Sequence, residues 1–187
     1  MRLTLIPLAA LCALALTSCA DTVQQKPIPH NILEGLVVAP YPVYWLGASF
    51  LGKPLSEASH DPGGAYSVLY GSCLQGGQGT CVPPLRLVSS PDNGFLPGGG
   101  ARAHEITVRG APATLTQQGR TIIVPTGPVV VTIYAHSAPL AAAAAAAMVP
   151  INAVGAPGEA LPAPVPDTGF GSQPIPAQLP SPLAPAS

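Results

Sequence analysis

Residues 104–152, HEITVRGAPATLTQQGRTIIVPTGPVVVTIYAHSAPLAAAAAAAMVPIN, constrain the fold more than any other part of the chain. Runs rich in Val, Ile and Thr at Ile106–Val108, Thr121–Val124 and Val129–Tyr134 are divided by Gly110, Gly119 and the Thr126-Gly127-Pro128 turn. β-Branched residues suit a pleated surface, and Gly and Pro punctuate it. The spacing therefore predicts consecutive antiparallel strands, with Ala113–Thr116 a shorter strand folding back across the Gln118-Gly119 turn. Seven alanines, Ala141–Ala147, and then Met148 and Val149, follow a Ser137 cap and Pro139. Alanine is the best helix former and proline is tolerated in a first turn, so a helix of about three turns is expected, ending before Pro150. At roughly 15 Å it is too short to cross a bilayer, but its small side chains let it lie close on a sheet.

Upstream, APYPVYWLGASFLGKPLSEAS (39–59) holds the only tryptophan. Val43–Leu46 reads as a strand, Phe50–Pro54 as a turn or short edge, and Leu55–Ser59 as one more short strand. GGAYSVLYGSC (63–73) alternates around Tyr66, Val68 and Tyr70, and PPLRLVSS (83–90) places Leu85, Leu87 and Ser89 on one face. Aromatic residues at such positions ordinarily enter the core. The alternative, a concave pocket around Tyr44, Trp45 and Tyr70 that receives a small ligand or peptide, stays open. The fold class is α+β: a mainly antiparallel β-meander with one C-terminal Ala-rich helix packed on the sheet.

The N-terminus has a different character. Arg2 precedes a fourteen-residue apolar stretch, Leu3–Leu16, interrupted only by Thr4 and Pro7. That length suits the hydrophobic region of an export signal and falls short of a membrane span. It ends in Leu16-Thr17-Ser18-Cys19, which resembles the lipobox of bacterial lipoproteins. The resemblance implies that residues 1–18 are a signal peptide, removed together with Cys12. It also implies that Cys19 becomes the acylated N-terminus, its palmitate-type chains holding the protein to a lipid membrane on the extracytoplasmic face. Each buried methylene contributes about 0.8 kcal/mol, so two or more chains anchor stably.

Charge narrows the partners. Only 8% of the residues are charged, with seven Lys+Arg against eight Asp+Glu, and no basic cluster occurs. Nucleic acid, which demands several phosphate contacts, is excluded as a partner. Pro and Gly together supply 45 residues, which fits one domain between segments without a core of their own. Residues 19–36, with Pro27 and Pro29, read as a tether. Residues 37–152 can build one core. Residues 153–187 read as a disordered Pro/Ala-rich tail, because ten of the 38 residues from Pro150 onward are proline.

Once Cys12 is removed and Cys19 acylated, Cys73 and Cys81 are the remaining thiols, in a compartment that permits disulfides. Their spacing matches neither a C-x-x-C redox pair nor a four-ligand zinc site, so a structural disulfide is expected. No phosphate-binding, dinucleotide, zinc-protease or nucleophile-elbow motif occurs. His30, His60, His104 and His136 are scattered. Ser72, His60 and Asp61 form a triad on paper only. His60, Asp61 and Asp92 belong to HDPGG and SPDNG, which read as turns. No catalytic residue, metal or cofactor is expected.

The segments YPVYWLGASFLGKPLSEAS, GGAYSVLYGSC and GRTIIVPTGPVVVTIYA, followed by the Ala-rich helix and PIN, resemble a group of secreted or lipid-anchored proteins of high-GC bacteria. That resemblance implies a compartment and a fold and carries no catalytic residue. The expectation is a membrane-anchored lipoprotein of the cell envelope, a non-enzymatic binding or scaffold module with an envelope protein partner. Two alternatives stay open: a lipoprotein that binds a small ligand or peptide and delivers it to a membrane partner, and a hydrolase with an unfamiliar site.

Overall fold

The computed structural model describes residues 30–72, 82–91 and 103–165. Helix α1 (His30–Val37) leads into a short strand β1 (Tyr44–Trp45). A hairpin then joins β2 (Ser49–Phe50) to β3 (Lys53–His60), followed by β4 (Tyr66–Tyr70) and β5 (Leu85–Ser90). A second set comprises β6 (His104–Val108), β7 (Ala111–Thr116), β8 (Thr121–Thr126) and β9 (Val129–Ala135). Helix α2 (Ala138–Ala147) and strand β10 (Val149–Pro150) close the order.

The fold is α+β, as the residue pattern implies. Two antiparallel meanders, β2-β3-β4-β5 and β6-β7-β8-β9, meet edge to edge where β5 pairs with β9, giving the order β2-β3-β4-β5-β9-β8-β7-β6. β5 alternates buried and half-buried along its length, with Leu85, Leu87 and Ser89 inward as expected. α2 packs on β8 and β9 through Leu140, Ala141, Ala144 and Ala145. Its approach is close because the alanine face carries almost no bulk. Gly119 is needed at that approach: its backbone has φ +86°, and a Cβ there would lie 2.8 Å from the Cβ of Ala138. Ser137 stands at the N-cap with extended backbone, yet its hydroxyl makes no capping bond.

Three features depart from the sequence expectation. First, residues 30–36 of the expected tether lie in α1, and Leu36 is buried in the core. Second, the helix stops at Ala147, and Val149–Pro150 pairs with Tyr44–Trp45 as a two-stranded ribbon. Third, residues 153–165 of the expected disordered tail dock as a strap. Proline removes its own backbone donor but not its acceptor, so the strap docks both ways: the body donates to its carbonyls, and its Leu161 and Val165 N–H groups donate to Arg109 O and Gly127 O. Gly127 N–H reaches Ala163 O at 3.2 Å, and the Thr126 hydroxyl reaches Pro162 O at 2.9 Å. The Leu161 side chain is buried beside them. Residues 166–187 lie outside the described residues.

One side chain fastens the ribbon. Asn152 Nδ2 donates to Ala39 O at 3.1 Å and Tyr41 O at 2.8 Å, while its Oδ1 accepts from Val43 N–H at 2.9 Å. Asn152→Ala leaves those three backbone groups without their partner at a part-buried position, costing about 2–3 kcal/mol. The expected result is a melting temperature lower by roughly 10 °C in calorimetry.

The Tyr41 hydroxyl donates to the Gly64 and Ser89 carbonyls, and its ring meets Tyr66 edge-on at 5.6 Å. Desolvation, with smaller contributions from Tyr66 and Asp61, pushes its pKa up to about 12 from 10.0. A phenol that holds its proton more tightly when folded stabilises the fold below the unfolded value, and that stability is lost as pH rises through the folded one. Between pH 10 and 12 the protein should lose stability. The loss should be smaller in Tyr41→Phe, read by chemical denaturation at each pH.

Candidate functional site

The chain turns sharply at Arg109-Gly110, between β6 and β7, with φ +51° and +87°. Two consecutive positive φ values are the mark of the tight hairpin turn that favours Asn-Gly, so an arginine at the first position carries a conformational cost. Its side chain shows what offsets that cost. Arg109 Nε donates to Glu159 O, Nη1 to Met148 O, and Nη2 to Ala156 O at 2.9 Å. Its own carbonyl accepts from Leu161 N–H at 2.9 Å. One guanidinium thereby gathers the end of α2 and the strap onto a hairpin tip.

Beneath this clasp lies a cleft of about 210 Å³, with Tyr44, Arg109, Glu159 and Leu161 among its lining residues. Pro42, Pro150 and Pro162 form much of its apolar wall. The Glu159 carboxylate accepts from Ala156 N–H at 3.0 Å, which fixes the loop of the strap. A guanidinium has five N–H donors; Arg109 spends two on the strap and one on Met148 O at the end of α2, which leaves two. The arrangement suits reception of a small group bearing an acceptor atom. It contains no pairing of a nucleophile with a base.

The structure divides the residues singled out in the sequence. Tyr44 lines the cleft, although its side chain is largely buried. Trp45 is half-buried against the core, and Tyr70 is wholly buried. The Tyr70 hydroxyl accepts from Leu46 N–H at 2.7 Å and donates to Gly47 O at 3.0 Å, and burial raises its pKa. Tyr44 and Tyr70 enter the core, as expected of aromatics at strand positions, and the alternative, a pocket around all three aromatics, is not formed. The polar end of Tyr70 is consumed in tying the turn after β1 to the sheet, so this residue is removed from any ligand-facing role.

His60 stacks on Tyr66 at 4.3 Å, and Asp61 Oδ1 accepts from Ala65 N–H at 2.9 Å. Both are used locally by the β3–β4 turn, and neither assembles with Ser72 into a charge-relay geometry. Cys19, Cys73, Cys81 and Asp92 lie outside the described residues. Among the described residues no group of three or more His, Cys, Asp or Glu side chains gathers to hold a metal, and no helix is long and apolar enough to cross a membrane.

Arg109 and Glu159 escape a sequence reading because their partners are carbonyls 39–50 residues away. The one local signal is an arginine where a turn prefers Asn. No family model, curated protein or solved structure matches the chain.

Arg109→Asn separates the clasp from the turn, since asparagine suits the turn backbone but does not reach the strap. The Leu161 and Val165 amides, bonded to Arg109 O and Gly127 O, should exchange with deuterium about tenfold faster or more, while β5 and β9 keep their protection.

Proposed function

We propose that the protein is a lipid-anchored binding module on the extracytoplasmic face of a bacterial cell membrane, acting without catalysis of its own. The observation that carries this reading is Leu16-Thr17-Ser18-Cys19 at the end of a fourteen-residue apolar stretch. Small residues before the cysteine let the segment enter a peptidase in extended form, and the thiol is the nucleophile that takes the lipid. Acylation there supplies membrane affinity without a spanning helix.

The dimensions are compatible. Ten residues separate Cys19 from the start of α1, and a chain of that length spans at most about 36 Å. The folded body is thus held within reach of the bilayer, where it can meet an envelope protein. The Cys73–Cys81 disulfide belongs to the same reading, because an extracytoplasmic compartment is oxidising.

A second reading, delivery of a small ligand or peptide to a membrane partner, is favoured by the cleft beneath the Arg109 clasp, with Tyr44 in its wall. It keeps the anchor and adds cargo.

Intact mass of membrane-fraction protein tests the anchor and the disulfide together. The expected wild-type species lacks residues 1–18, carries diacylglycerol on Cys19, and takes up two alkyl groups only after reduction. Cys19→Ala should be recovered in the soluble extracytoplasmic fraction without lipid. An unmodified Cys19 in membrane-bound wild type would overturn the anchor, and two thiols free before reduction would overturn the disulfide.

A further inference from the structure

The ladder between β7 and β8 is shorter than either strand. It runs through Thr114↔Ile123, Leu115↔Ile122 and Thr116↔Thr121, then stops. Continued in register, the next positions set Ala113 against Val124 and Pro112 against Pro125. The two-residue hairpins at Val108↔Ala111 and Thr126↔Val129 fix which backbone groups point where. On that alternation Pro112 and Pro125 both turn toward the β7–β8 gap, and neither has an N–H to offer across it. The strands part, and a groove of about 500 Å³ opens, with Glu105, Thr107, Pro112, Thr114 and Pro125 among its lining residues. The carbonyls of Pro112 and Pro125 face this gap without a ladder partner among the described residues.

β6 lies beside this groove at the edge of the sheet. The same alternation directs Ile106 and Val108 toward β7, so the N–H and C=O groups of Glu105 and Thr107 point outward. Among the described residues nothing pairs with them. The Glu105 side chain is exposed, lines the groove and has no ion partner among the described residues.

We propose that the free edge of β6 is a docking strand for an extended basic segment of a partner protein. The segment adds a strand to the sheet through the main chains of Glu105 and Thr107. Its lysine or arginine lies over the groove, toward the Glu105 carboxylate and the acceptor-rich gap beyond it. Main-chain pairing of this kind supplies affinity, and alternate side chains supply selectivity.

Charge decides between this occupant and a second copy of the chain. Two β6 edges paired antiparallel about Ile106 bring both Glu105 carboxylates to one face as diagonal neighbours. Like charges so placed are unfavourable, and a charged residue on an edge is a known guard against self-pairing. The same carboxylate favours a cation.

The test uses the chain carrying Cys19→Ala, recovered in solution, so failure of the anchor reading leaves it intact. A seven-residue peptide alternating lysine and valine is titrated into ¹⁵N-labelled protein and followed by NMR. Saturable shifts are expected at the Glu105, Ile106 and Thr107 amides, with slowed exchange at Glu105 and Thr107. The glutamate counterpart should bind at least tenfold more weakly. Glu105→Gln should weaken binding about threefold, the size of an exposed ion pair, and added salt should do the same. Thr107→Pro removes an outward N–H that the fold does not use, so it should abolish binding with the melting temperature unchanged. Equal binding of the lysine and glutamate peptides, undiminished binding by Thr107→Pro, or self-association through β6 in sedimentation each overturns the proposal.

Discussion

The pairing of β5 with β9 is the interaction on which the rest of the molecule depends. Each meander alone is a four-stranded sheet with two free edges; joined along six register pairs from Leu85↔Ala135 to Ser90↔Val130 they become one surface. The seam is also the centre of burial, because Leu85, Leu87, Val131 and Ile133 come from its two strands and are all fully enclosed. α2 packs on β9 and β8 immediately beside it. The β5–β9 contacts join residues 40 to 50 positions apart, so their loop-closure cost must be met before the core rewards it. A core deletion at this seam, such as Ile133→Ala, removes packing from both meanders at once.

Proline accounts for what the sequence disclosed and what it hid. Strands at 106–108, 121–124 and 129–134, and a helix over the alanines, were legible because β-branched runs and an alanine run carry local preferences. The strap was not. Ten prolines among the last 38 residues describe the donors a segment lacks, while docking of residues 153–165 depends on its carbonyls, on the amides of its non-proline residues Leu161 and Val165, and on partners elsewhere in the chain. α1 was hidden for the opposite reason. Pro27 and Pro29 argue against a helix only up to their own positions, and the apolar Leu33 and Leu36 that follow are enough to seat one on the core.

The strap and the β7–β8 gap lie at one end of the sheet. Opposed prolines at 112 and 125 end the ladder, and two hairpin tips, Arg109-Gly110 and Gly127-Pro128, are left at that end of the sheet. The strap bonds to both: Leu161 N–H to Arg109 O, and Gly127 N–H and the Thr126 hydroxyl to Pro162 and Ala163 carbonyls. The strap ties the two tips to each other, while the Pro112 and Pro125 carbonyls between the strands keep no ladder partner among the described residues. The tips are thereby held while the groove is left between the strands.

Few charges are available to such a chain, and those described are placed with economy. Asp61 closes a turn, Arg86 donates to Ser67 Oγ at 2.9 Å and lies over the Tyr134 ring at 6.0 Å, and Arg109 serves carbonyls. Glu105 stands apart from these in having no such partner among the described residues. Its position gives that isolation a use: α1, which follows the segment leading from Cys19, packs on β3, and six strand intervals separate β3 from β6. At about 4.8 Å each that is roughly 29 Å measured along the sheet. Were the chain held at Cys19, as proposed above, β6 would stand at the margin of the sheet opposite the strands next to α1, so an incoming strand would meet the sheet away from the anchored end.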